Sequence, residues 1–249
     1  MSIVIFGVLA LLAEIIGTVG GFGSSLFFVP IAQFFFDTKT VLGLTAVFHV
    51  FSNASKLFLF YKTINWRLTL LFGIPSVVFV ILGAWLTTKV NFRYDQLVLA
   101  LFLIVFSTFM LAKPDWQLQP TVPVSVAGGS LAGFLAGFVG TGGAIRGLGL
   151  AAYNLEKNLF VGTSAAIDMG VDLSRAVIYV ENGYLSASNY YLLPVLVVVS
   201  LLGSYIGKLL LGRINQDAFR KVVLVLILLV GIVTLGRSLW PYFERIFLP

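Results

Sequence analysis

The sequence predicts an all-α, polytopic membrane protein made of two homologous halves, and three observations carry that prediction. Of the 249 residues, 59% are hydrophobic and 10% charged, with a mean hydropathy of +1.03. A soluble domain carries about 25% charged residues, so too few polar side chains exist here to cover a water-facing surface. Apolar runs near or above the ~18 residues of a spanning helix recur along the whole chain. The pattern of glycines, prolines and polar residues in the first half returns in the second. A β-barrel would need alternating segments of about ten residues, and the sequence has none.

The first segment covers residues 3–36. As one straight helix its 34 residues would measure about 51 Å at ~1.5 Å per residue, against a hydrocarbon core of ~30 Å. It must break, and GTVGGFGSS at 17–25 is where the sequence allows it, since glycine accepts positive φ and close backbone approach. Segments 42–62, 67–88 and 94–112 follow, each about one membrane crossing long. The stretch KPDWQLQPTVP at 113–123 is polar and carries three prolines, so it reads as a linker and not a helix. A second long segment, 124–155, is interrupted at 140–143, and runs at 159–180, 188–212 and 218–239 complete the chain. The organisation expected is a first repeat at 1–112, the linker at 113–123 and a second repeat at 124–249, forming one integrated membrane domain. The N-terminus, without a basic leading region or a clear cleavage site, reads as a retained membrane segment and not a signal peptide.

Particular residues support the duplication. Gly17, Val19, Gly20 and Gly23 fall on Gly137, Val139, Gly140 and Gly143, an offset of 120. The next helix aligns at an offset of 119, LGLTAVFHVFSNASK on VGTSAAIDMGVDLSR, so that Gly43 meets Gly162, Ser55 meets Ser174 and Lys56 meets Arg175. Pro75 meets Pro194, and Gly83 meets Gly203. If each long segment turns back to the side it entered, each half crosses three times and the halves are inverted copies. If each long segment crosses once, the copies are parallel. The charges of the loops do not separate the two, whereas the segment lengths and the paired breaks favour inverted repeats.

Unwound backbone within a membrane survives only where protein or a cavity surrounds it. A helix restarting at Ser24 or Ser25 presents free N–H groups and a positive dipole end, an arrangement suited to an anion. In the second copy the restart falls near Gly142 to Ala144, with Arg146 in the first turn. Discontinuous helices at matching positions of two repeats point to a transport site; Gly17-x-x-x-Gly21 would also satisfy close helix packing, but the glycine density and the excess length favour a break. The expected anion site comprises Gly20, Gly21, Gly23, Ser24 and Ser25 from the first break and Gly140, Gly142, Gly143 and Arg146 from the second, with Asn53, Lys56 and Arg175 beside them.

Ionisable groups inside spanning segments are functional candidates by default. His49, Asn53 and Lys56 share one helix face at i, i+4 and i+7, and Asp168, Asp172 and Arg175 repeat that spacing. Thr45 and Ser164 extend each stripe by one turn. Lys56 and Arg175 could serve an anion or snorkel to an interface, and Asp172 could neutralise Arg175. Glu14, His49, Asp168 and Asp172 are candidates for a coupling ion, H⁺ or Na⁺; a lone histidine such as His49 is also common as a hydrogen-bonded packing residue. Net charge is +6, but the basic residues are scattered singly as membrane-flanking anchors, which argues against a nucleic-acid partner. There is no cysteine, and so no disulfide or thiolate chemistry. No metal-ligand cluster or cofactor motif is present, and Ser24 with His49 lacks a visible orienting acid, so an enzyme is not expected.

The glycine break once per half, the G-L-T and G-T-S openings of the helices that follow, and the corner Ile64-Asn65-Trp66 together resemble the TauE/SafE sulfite-exporter family over residues 3–240. The second corner, Tyr184-Leu185-Ser186, departs by lacking the tryptophan, and the first loop reads GGFGSS where the family has a fuller glycine run. The resemblance implies a carrier in the plasma (inner) membrane that exports sulfite, organosulfonates or related oxyanions with ion coupling, through a central site at the two breaks. A passive anion channel on the same scaffold, or a non-transporting assembly factor, are the alternatives. Oligomeric state is not readable from the sequence.

Overall fold

The structure is a computed structural model that describes residues 3–87, 95–139 and 143–247. Among these, all regular structure is helical. The first half gives α1 (Ile3–Gly20), α2 (Ser25–Ala32), α3 (Thr38–Phe60), α4 (Trp66–Thr87) and α5 (Asp95–Ala112). The second gives α6 (Val122–Val139), α7 (Gly143–Ala152), α8 (Lys157–Glu181), α9 (Leu192–Arg213) and α10 (Gln216–Phe247). The halves therefore give the same run of elements, α1 to α5 answering α6 to α10, and residues 140–142 between α6 and α7 lie outside the described residues. Among the described residues, five helices, α1, α3, α4, α9 and α10, are long and apolar enough to cross a membrane. The equally long α8 carries Asp168, Asp172 and Arg175 along its middle, and the first two are buried. The linker ends two residues earlier than its prolines imply: Pro123 sits in the first turn of α6, where a missing N–H costs no hydrogen bond. The last helix also runs on past the apolar stretch, to Phe247.

Matching caps begin the matching helices. Asp37 accepts from the N–H groups of Lys39 and Thr40 ahead of α3. Glu156 accepts from those of Asn158 and Leu159 ahead of α8. The two carboxylates are 119 residues apart, the offset of the repeat itself. The Thr40 hydroxyl, followed by its N–H, holds the Asp37 carboxyl below the usual range.

The chain gathers into two compact units, Met1–Gly73 with Leu155–Phe219, and Ile74–Asn154 with Arg220–Pro249, so each unit draws on both halves of the sequence. In the first, residues 3–36 form a hairpin. Ser24 lies against Gly17, where an added Cβ would stand 2.6 Å from the Ser24 Cα. Phe35 and Phe36 return to Phe6, near the start of α1, with ring centroids 5.6 and 5.4 Å away. Phe28 joins the same group and bridges it to Phe48 of α3.

Helices in lipid gain nothing from excluding water between them, so close packing at small residues holds them together. Along α1 and α9, Gly7 meets Val195, Glu14 meets Gly203 and Thr18 meets Gly207, so the two helices run parallel. By contrast α3 and α8 run antiparallel. Gly162, early in α8, lies on Phe60 at the end of α3 and on Thr63 just past it, while its copy Gly43, early in α3, lies on Tyr184 just past the end of α8. At their midpoint Asn53 donates to Asp172 at 3.0 Å, and these too are copies of one another, 119 residues apart.

Two lysines of this unit do more than flank a membrane. Lys157 Nζ donates to the Leu211 and Ile214 carbonyls at 2.9 and 2.5 Å. Lys208 Nζ donates to the Leu59 carbonyl at 2.6 Å. Both satisfy orphan acceptors at helix C-termini.

The second unit repeats one of these packings. Gly133 of α6 sits on Ser76 of α4, whose hydroxyl donates to the Gly129 carbonyl at 2.9 Å, and Gly83 sits on Phe134. Gly83 and Phe134 occupy the places that Gly203 and Glu14 hold in the first unit, at the offset of 120. The linker is fixed here by Trp116 against Phe106 and Phe109 and by Arg220, whose guanidinium donates to the Pro114 and Trp116 carbonyls.

Candidate functional site

The first glycine break is a tight reversal in which Gly21 has φ +72° and Gly23 φ +97°, both in the region that disfavours L side chains. Gly20 closes α1 and is buried, as is Gly21; Ser25 opens α2 and is half-buried. Ser24 stands at the N-cap of α2, but its side chain makes no cap hydrogen bond. Instead its hydroxyl reaches sideways to Glu14 Oε2 at 2.7 Å and to His49 Nε2 at 3.3 Å. The reversal thus gives up a cap to place a hydroxyl between an acid and an imidazole.

Glu14 is fully buried. An isolated carboxylate there would cost many kcal/mol, and five donors offset that cost. Its Oε1 accepts from Thr18 at 3.1 Å, Ser52 at 2.7 Å and Ser204 at 2.9 Å, and pairs with Lys56 Nζ at 2.9 Å. Its Oε2 takes Ser24. Lys56 also donates to Ser52 at 2.7 Å. The glycines Gly203 and Gly207 make this possible, because a Cβ on either would come within 2.7 Å of Glu14 or Thr18.

On the other side of Ser24, His49 Nδ1 lies 3.3 Å from Asp172 Oδ2. The same carboxylate accepts from Asn53 and stands 3.5 Å from Arg175 Nη1. A continuous polar chain therefore runs Lys56–Glu14–Ser24–His49–Asp172–Arg175 through α1, the break, α3 and α8. All of its members but Arg175 are at most 6% exposed. The Arg175 side chain is 31% exposed, and its guanidinium lies over the Tyr179 ring at 5.6 Å to the centroid.

The structure thus brings Glu14, Ser24, His49, Asn53, Lys56, Asp172 and Arg175 together, with Gly20, Gly21, Gly23 and Ser25 forming the turn. Asp168 is buried one turn before Asp172 on α8. Arg146 is buried in the first turns of α7, which opens at Gly143, in the second unit. Gly140 and Gly142 lie outside the described residues. Three members of the cluster are not singled out by sequence: Thr18, Ser52 and Ser204. Thr18 and Ser52 each stand four residues from a charged partner, a signal available in principle. Ser204, 190 residues from Glu14, is marked only by its neighbour Gly203.

The acid that the sequence does not reveal for His49 is Asp172. Ser24, His49 and Asp172 fall in the order of a hydrolase triad, but the arrangement does not suit nucleophile activation. Ser24 is fully buried, and its hydroxyl donates to Glu14 Oε2 at 2.7 Å, a shorter contact than the 3.3 Å to the imidazole. Among the described residues, no group of three or more His, Asp or Glu side chains is placed to hold a metal ion.

The chain matches the family model described as Sulfite exporter TauE/SafE over residues 6–234. It is 28% identical to a protein of Methanocaldococcus jannaschii described as a probable membrane transporter protein, with 86% of each chain covered. No solved structure matches.

Proposed function

Because the chain belongs to the TauE/SafE family of multi-pass membrane transporters, we propose that it is a secondary transporter exporting small sulfur-containing anions, sulfite or organosulfonates such as sulfoacetate. The observation that carries this reading is the polar chain at the first break, buried at one end and reaching the partly exposed Arg175 at the other. Arginine offers a planar fork of donors matched to a sulfonate or sulfite oxygen pair. The N-terminus of α2, with its cap side chain turned away, adds N–H groups and a positive dipole end beside Gly20, Gly21, Gly23 and Ser25. Asn53 and Lys56 stand in the same cluster as polar and cationic neighbours. In the second unit, taken by itself, the start of α7 with Gly143 and Arg146 offers an anion a helix N-terminus and a guanidinium of its own. Coupling runs through Glu14, His49, Asp168 and Asp172. The two halves are inverted copies, a reading supported by the antiparallel α3 and α8.

The test is transport of radiolabelled sulfoacetate by the purified chain in proteoliposomes. Uptake is expected to saturate, to be competed by sulfite, and to fall at least tenfold in Arg175→Ala, the loss of one charge-assisted hydrogen bond of about 1.5–3 kcal/mol. Flux indifferent to sulfite and sulfonates, and unchanged in Arg175→Ala and Arg146→Ala, contradicts the proposal.

A further inference from the structure

We propose that the anion enters at the C-terminal end of α8, along a stack of two cations and two rings, Lys39–Tyr184–Tyr179–Arg175. Tyr179 and Tyr184 are positioning residues that hold Arg175 at the mouth with its charge uncancelled; this rests on the transport reading above and deepens it. The stack begins as a helix stop. Gly183 has φ +70°, its N–H donates to the Val180 carbonyl at 3.1 Å, and the Tyr184 N–H donates to the Tyr179 carbonyl at 2.9 Å. Glycine in the left-handed region with this pair of bonds folds the residue after it back onto the last turn of the helix. The two residues so joined are both tyrosines. Their rings lie 2° from parallel, with centroids 4.9 Å apart.

Each ring then carries a cation. The Arg175 guanidinium lies over Tyr179 at 5.6 Å, and Lys39 Nζ lies over Tyr184 at 6.0 Å. Arg175 and Tyr179 meet because they stand at i and i+4 on α8. Lys39 comes from α3, on the same face as Gly43 one turn later, where a Cβ would stand only 3.1 Å from the Tyr184 carbonyl. A ring face attracts a cation without neutralising it, and more weakly than a carboxylate does. Arg175 reaches Asp172 only at 3.5 Å, so the ring keeps the guanidinium in place without cancelling its charge. The nearby acids are directed elsewhere. Asp37 accepts from the first N–H groups of α3 and from the Thr40 hydroxyl. Glu181 is two residues past Tyr179, and helical positions two apart do not face each other.

At the offset of 119, Arg175, Tyr179, Tyr184 and Lys39 become Lys56, Phe60, Asn65 and Asn158. At the end of α3 the cation is sealed, with Lys56 3% exposed and Phe60 2%. At the end of α8 the Arg175 side chain is 31% exposed, both tyrosines are half-buried and Lys39 is exposed. One end of the duplicated stripe is shut and the other opens through the stack, and the residues that build the stack are those in which the copies differ.

Sulfoacetate uptake by the full chain in proteoliposomes tests the positioning role. Tyr184→Leu keeps an apolar contact at the helix stop but no ring. It and Lys39→Gln are each expected to raise KM about two- to fivefold, the loss of one cation–ring contact, at an unchanged maximal rate, and Tyr184→Phe is expected to restore the unsubstituted KM. Equal KM in Tyr184→Leu and Tyr184→Phe would leave a helix stop only and overturns the proposal. A second readout needs no transport. The chain has no cysteine, so Tyr184→Cys places a single thiol between Lys39 and Tyr179. The ratio of its rate with 2-sulfonatoethyl methanethiosulfonate to that with the trimethylammonium analogue is expected to exceed the ratio for a free thiol in solution by about tenfold, and to fall when Lys39→Gln is added. A ratio equal to that of the free thiol overturns the proposal. Absence of flux for sulfite and every sulfonate instead defeats the transport reading, and the thiol ratio still decides whether this end of α8 draws an anion.

Discussion

Glu14 is the residue on which the cluster turns. It sits in a spanning helix, fully buried, and its charge is matched by Lys56 and four hydroxyls. Removing one partner of a buried pair strands the other, typically at about 3–5 kcal/mol, whereas replacing both by apolar groups is often near neutral. Glu14→Gln and Lys56→Met are each expected to lower stability by that order, and Glu14→Gln with Lys56→Met to recover much of it, as read by denaturation midpoints in detergent. Equal, additive losses would contradict the pairing. The sequence names both residues, since charge inside an apolar run is conspicuous. It cannot pair them, because 42 residues and a chain reversal separate Glu14 from Lys56. It also reads Lys56 only as a candidate for an anion or an interface, with nothing to mark Glu14 as its partner.

At the scale of the element, the break in residues 3–36 was legible from length alone, and its place from glycine density. What the sequence leaves open is which glycine each job belongs to. Gly17 lies within the helix and is needed because Ser24 folds back on it, with the Ser24 Cα and N both 2.6 Å from where a Cβ would stand. Gly212 is helical with open space around it. Gly17→Ala is therefore expected to destabilise the protein and reduce transport. Gly212→Ala is expected to leave transport intact and to raise stability by up to about 1 kcal/mol, the helix-propensity difference. Thermal unfolding of the two variants checks this, and a tolerated Gly17→Ala would mean that the hairpin is looser than described. The caps show the same limit. Asp37 and Glu156 are copies, yet aspartate against glutamate at the edge of a run leaves little for the eye to align, and only their shared contacts with the following N–H groups show the register extending to the helix ends.

For the whole molecule, duplication is written in the glycines, and packing repeats it: Gly203 on Glu14 in one unit, Gly83 on Phe134 in the other. The chemistry is not duplicated. At the offset of 120, Glu14, Thr18 and Ser24 become Phe134, Phe138 and Ala144, so the ionisable and hydroxyl groups of the first copy have no counterpart at these positions of the second. A symmetric pattern in the sequence points to a shared scaffold, and the departures from it mark where function is concentrated. If the halves are inverted, the end of α3 and the end of α8 emerge on opposite sides. The chain has no cysteine, so single cysteines at Lys62 and Asn182 are expected to react with an impermeant maleimide from opposite faces of sealed vesicles. Labelling from one face would establish parallel copies. Whether an anion reaches the first break is the claim beneath all of this, and a single cysteine at Ser25 tests it most directly. It is expected to react with a negatively charged methanethiosulfonate reagent and to be protected by saturating sulfoacetate. A cysteine there that stays unreactive, or reacts at the same rate with and without sulfur anions, would contradict the account.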